Sequence, residues 1–65
     1  MKIILNGKDK KLKVANLGEI LVNLKYDPEK VLVSVNGNAV GKEMYSKTSL
    51  SEGDNVDVFS FVGGG

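Results

Sequence analysis

Only one stretch of the chain carries a helical period, and the rest must be arranged around it. In NLGEILVNLKY, Leu17, Ile20, Leu21 and Leu24 fall at i, i+3, i+4 and i+7, which makes one side of a helix apolar. Asn16 is suited to cap its start, with Glu19 three residues on in capping-box spacing. Asp27-Pro28 is expected to end it, because the residue before a proline is pushed out of the α region. A lone apolar stripe cannot bury itself against a second helix that does not exist. It needs a sheet.

The flanking segments supply one. MKIIL reads as a first strand, Asn6-Gly7 as a turn, and KLKV as a second strand of alternating polarity. The polar run Lys8-Asp9-Lys10 suggests a connection longer than two residues. After the helix, VLVSV is a β-branched third strand with Val31, Val33 and Val35 on one face. Asn36-Gly37-Asn38 turns the chain into a short strand at Ala39-Val40. GKEMYSKTSL is irregular, with Tyr45 and Leu50 as anchors to the core, and NVDVFSFV is the last strand. The order β-β-α-β-β-β specifies an α+β domain: a mixed sheet of four to five strands with one main helix on one face. The first and last strands lie parallel and adjacent, which is the β-grasp arrangement. The expected organisation is a β-grasp domain over residues 1–62 and a flexible functional glycine tail over 63–65.

Composition removes whole classes of function. Sixty-five residues make one domain with a small core. With no Cys there is neither a disulfide nor a zinc-thiolate site, and with no His the commonest general base and metal ligand are missing. Nine lysines against eight acidic residues give +1, too little for a nucleic-acid field, and the lysines are spread as a solvating surface. Asp27, Glu29, Glu43, Glu52, Asp54 and Asp57 lack tight ligand spacing, so no metal is expected. Ile3-Ile4-Leu5 is too short for a signal peptide, and no run approaches the ~20 apolar residues of a membrane span. A cytoplasmic protein is expected.

Strand parity singles out a surface. Val56 and Val58 suit the core face of the last strand; the other parity would bury the Asp57 charge. Phe59 and Phe61 then point away from the helix, beside the tail. Alternation in the first and third strands puts Ile4 and Leu32 on the same open face, where they enlarge an apolar patch of the kind that marks an interaction site.

Here the residues resemble a known family. The opening MKIILNGK, the turn VNGNAV, EGDNVDVF, and above all an apolar strand running into Gly63-Gly64-Gly65 are similar to ubiquitin-like sulfur carriers of the ThiS/MoaD type. The thiamine-biosynthesis branch is the nearest. The chain departs from the family pattern at three places: Gly63 stands where such carriers often have another small or polar residue before the Gly pair, and Gly41-Lys42 and Tyr45 stand where they often have Pro-Arg and a Trp.

The resemblance implies a cosubstrate and not an enzyme. The Gly65 carboxylate would be adenylated by a ThiF/MoeB-like activating enzyme using ATP and Mg, then converted to a thiocarboxylate by sulfur from a cysteine desulfurase or rhodanese. A ThiG-like thiazole synthase would receive the sulfur. Gly63 and Gly64 would thread the tail into the narrow active site, since glycine lets backbones approach closely. Phe59, Phe61, Val62, Leu32 and Ile4 would dock the folded body. No cofactor would be bound, and the free protein would be a monomer. Other readings stay open on the residues alone: a carrier for molybdopterin synthesis or tRNA thiolation, protein conjugation, or a plain β-grasp interaction module.

Overall fold

The computed structural model describes residues 1–60; Phe61, Val62, Gly63, Gly64 and Gly65 lie outside the described residues. Five strands form one sheet in the order β2-β1-β5-β3-β4. They are β1 (Lys2–Leu5), β2 (Lys8–Lys11), β3 (Val31–Val35), β4 (Asn38–Val40) and β5 (Asn55–Ser60). β1 and β5 are parallel at the centre, while β2 and β4 pair antiparallel at the edges. The helix α1 (Leu17–Asn23) covers one face, and a six-residue 3-10 helix, Lys42–Lys47, packs beside it. This is the β-grasp expected from the element order.

The core lies between α1 and one sheet face. Leu17, Ile20 and Leu21 from the helix meet Ile3, Val31, Val33, Val56 and Val58 from the strands, with Tyr45 and Leu50 closing the ends. Leu24 is only partly buried. Asp57 keeps off the core face, as parity required.

Four local expectations are corrected. The first hairpin has a two-residue loop: Asn6 and Gly7 take φ of 50° and 84°, and Leu5 pairs directly with Lys8. Positive φ at both turn residues matches the twist of the flanking strands, so no longer loop is needed. In consequence the second strand is the polar KDKK, not KLKV; Leu12 and Val14 lie past its end and pack on the core margin. All four β2 residues are exposed, and lysines along an edge strand discourage pairing with another chain.

The helix also stops earlier than Asp27-Pro28. Lys25 adopts φ of 67°, its amide donates to the Val22 carbonyl, and the Tyr26 amide donates to the Leu21 carbonyl. That pair of bonds is a Schellman motif, here with lysine in the left-handed position. Pro28 instead opens a short 3-10 turn, Pro28–Lys30. The start is as expected, with Asn16 accepting from the Glu19 amide at 3.1 Å. The segment after Val40, read as irregular, is largely the 3-10 helix that carries Tyr45.

Candidate functional site

The open face of the sheet carries the candidate docking residues that the structure describes. On β5, Asn55, Asp57 and Phe59 alternate with the buried Val56 and Val58. Phe59 pairs with Leu32 of β3, and the two are 61% and 60% exposed, an unusual state for large apolar side chains standing side by side. They occupy the end of β5 that leads toward the glycines.

Ile4 shares this face at 36% exposure, but it pairs with Asn55 at the start of β5. Four residues of strand separate that level from Phe59, roughly 13 Å at the usual rise. Asp57, paired with Ser34, lies between. The structure therefore joins Leu32 to Phe59 and leaves Ile4 apart. Phe61 and Val62, and the three glycines, lie outside the described residues.

Among the described residues, shallow depressions include two elsewhere on the surface. One lies among Met1, Lys2, Lys11, Leu12, Lys13 and Glu52, and the other beside α1 around Val14, Glu19, Val22 and Ser46. Neither contains Leu32 or Phe59. Among the described residues there is no cluster of three or more His, Cys, Asp or Glu that could hold a metal, and no helix is long and apolar enough to cross a membrane. Among the described residues, Lys42 is held above its ordinary value, chiefly by its 2.6 Å hydrogen bond to Glu29 and by the attraction of that carboxylate's charge.

How β5 is held matters because it carries the open face. Two asparagines, read from sequence only as turn residues, bond it from either side. Asn36 takes φ of 52°, and its main-chain amide donates to the Asn55 carbonyl at 2.7 Å. In an antiparallel hydrogen-bonded pair the return bond goes to the main-chain carbonyl. Here the left-handed turn swings that carbonyl away, and the Asn55 amide donates to Asn36 Oδ1 at 2.9 Å. Asn6 repeats the device on the parallel side, where the Val58 amide donates to Asn6 Oδ1 at 2.8 Å. A third side chain completes the sheet at its far end: Tyr45 Oη donates to the buried Val31 carbonyl at 3.0 Å. The sequence signal was present, since Asn combines tolerance of positive φ with a side-chain carbonyl.

Comparison with known proteins gives this geometry a family. The ThiS family profile matches residues 3–65. The sulfur carrier protein ThiS of Bacillus subtilis is 35% identical over 63 residues, a match covering 94% of this chain and 96% of that protein. Thiazole synthases of Paramagnetospirillum magneticum and Magnetococcus marinus are 32% and 38% identical over 66 residues. Those matches take in 100% of this chain, which spans only 20% of each synthase. The crystal structure of the thiamine biosynthesis protein ThiS from Geobacter metallireducens superposes with a TM-score of 0.83 at 35% identity, covering 100% of both chains. Its solution structure gives 0.80, covering 100% of this chain and 88% of that one. In sequence and in fold, the chain belongs to the ThiS family.

Proposed function

We propose that this protein is a sulfur carrier for the thiazole of thiamine, with the Gly65 carboxylate as the working group. The observation that carries the reading is the exposed pair of Phe59 on β5 and Leu32 on the neighbouring β3, with Phe59 four positions before Gly63-Gly64-Gly65 in the sequence. In the sequence, an exposed apolar residue is followed closely by a run without side chains. Domain boundaries at 1–62 and 63–65 express the same division of labour. Membership of the ThiS family and the likeness to the Bacillus subtilis carrier support it.

The chemistry follows from the carboxylate. As an anion it is a poor acyl donor. Attack of its oxygen on the α-phosphorus of ATP, in an adenylating enzyme that supplies Mg, releases pyrophosphate and leaves an acyl-adenylate. The outer sulfur of a persulfide on a desulfurase or rhodanese-type donor then attacks the acyl carbon and displaces AMP, giving an acyl disulfide; a thiol reductant cleaves it, leaving the thiocarboxylate while the donor sulfur and that thiol are joined as a disulfide. The carrier contributes docking and reach. Leu32 and Phe59 bind the body, so that Gly63 and Gly64 present Gly65 to the enzyme at high effective concentration. The chain is acted upon and is not itself a catalyst. Its partners are an adenylating enzyme, a sulfur donor and a thiazole synthase, all in the cytoplasm. Two relatives named thiazole synthase that contain a stretch similar to this chain favour thiazole over molybdopterin or tRNA as the acceptor.

The test is intact mass after incubation with ATP, a ThiS-activating enzyme and a sulfur donor. The expected result is the gain of one sulfur in exchange for one oxygen, placed at Gly65 by fragmentation. Placement is essential because oxidation of Met1 or Met44 adds nearly the same mass. No gain, with an enzyme shown to be active on another carrier, would refute the reading.

A further inference from the structure

We propose that Asn6 is a positioning residue for sulfur loading: among the described residues its side-chain carbonyl is the last hold on the β1 flank of β5, and it aims the segment that follows. The proposal rests on the carrier reading above. The argument begins with the parallel ladder. The Ile4 amide donates to the Asp54 carbonyl at 2.8 Å, and the Asn6 amide donates to the Val56 carbonyl at 2.9 Å. In an uninterrupted ladder the next bond would run from the Val58 amide to the main-chain carbonyl of residue 6. Residue 6, however, is already the first residue of the hairpin turn, with φ of 50°. β1 leaves the sheet there, while β5 continues to Ser60.

Asn6 Oδ1 stands in for the missing carbonyl, and this partly buried 2.8 Å bond joins residues 52 apart in sequence. Beyond it, among the described residues, β5 is paired on the β3 flank alone, through Leu32–Phe59 and Val31–Ser60. A strand held on one flank can pivot about that flank. Val58 is the last residue of β5 held on both sides, and it immediately precedes Phe59. Small errors of aim at a reacting group are costly even when binding is intact.

Two requirements fall on position 6, and they can be separated. Glycine accepts the positive φ but offers no acceptor. Aspartate tolerates the φ and keeps a carboxylate oxygen in the same place. Asn6→Gly should therefore fold with the same hairpin and lose only the hold on Val58, and Asn6→Asp should restore it. Amide hydrogen exchange and activation kinetics, measured on the full chain with a ThiS-activating enzyme, read the two effects.

In Asn6→Gly we expect the Val58 amide to exchange about fivefold faster relative to the amides of β3, consistent with one lost hydrogen bond. We expect kcat for pyrophosphate release to fall about fivefold or more, with KM within about twofold of the parent, as for misaimed but docked carrier. Asn6→Asp should recover both. Faster Val58 exchange with unchanged kcat would make Asn6 merely structural and overturn the inference, as would unchanged exchange or a change confined to KM. If the parent chain itself is not adenylated by an enzyme active on another carrier, the carrier reading fails and this inference with it. Those two failures are distinguished by the parent control.

Discussion

Val58 and Phe59 are adjacent on one strand and face opposite ways, so truncating each to alanine should separate folding from docking. Val58 is 6% exposed in the core. Removing two buried carbons costs about 0.8 kcal/mol each, and the cavity left behind raises the total to about 2–3 kcal/mol. That is a large share of the roughly 3–10 kcal/mol expected for a chain of this length. Phe59 is 61% exposed, and its truncation should cost about 1 kcal/mol of stability. Its larger effect lies in the complex. Of the ~200 Å² a phenylalanine can bury, roughly 120 Å² remains available to a partner, worth at most about 3 kcal/mol. Ordering costs reduce that, so KM should rise about 10- to 100-fold. The assay is pyrophosphate release by the activating enzyme as carrier concentration varies, with urea unfolding of each variant in parallel. Val58→Ala should lower the urea midpoint and leave KM near the parent value while folded. A Phe59→Ala/Leu32→Ala double variant that is folded and has the parent KM would refute the docking face.

Three further outcomes follow from other contacts. Tyr45→Phe keeps the ring but strands the buried Val31 carbonyl, and thermal melts should show a loss of about 1–2 kcal/mol. Gly37→Ala meets no neighbour within 4 Å, yet its φ of 86° alone should cost about 1–2 kcal/mol in urea titrations. Lys42 is held above its ordinary value by Glu29, so its contribution is present below pH ~10.5 and is lost as pH rises through the raised value. The small melting-temperature gap between the parent and Lys42→Met at neutral pH should accordingly close in strong alkali; the pair is exposed, which keeps the gap small.

Much of this architecture was written in local patterns. The spacing of Leu17, Ile20 and Leu21 specified the helix face, and alternation in VLVSV and NVDVFS specified which valines enter the core. Charge decided the parity of β5, because burying Asp57 alone would be costly. From that parity the exposure of Leu32 and Phe59 could be read without coordinates. These features are short-range, each resting on residues within a few positions of one another.

What the local patterns could not carry was pairing between distant segments. KLKV has the better strand alternation, yet KDKK is the strand, because the Asn6-Gly7 turn sets the register from its own two dihedrals. The helix ends before the proline because the Lys25 and Tyr26 amides bond back to the Val22 and Leu21 carbonyls. Ile4 belongs to the open face by parity, but only the parallel offset of β1 against β5 shows that it stands away from Phe59. The bonds from Asn6 and Asn36 to β5 connect residues 52 and 19 apart. Sequence alone determined the helix face, the strand faces and the glycine run; tertiary structure alone decided register and which side chains replace missing carbonyls. The reason is physical: side-chain direction follows from local dihedrals, whereas a ladder bond exists only once two remote segments have been brought to a common height.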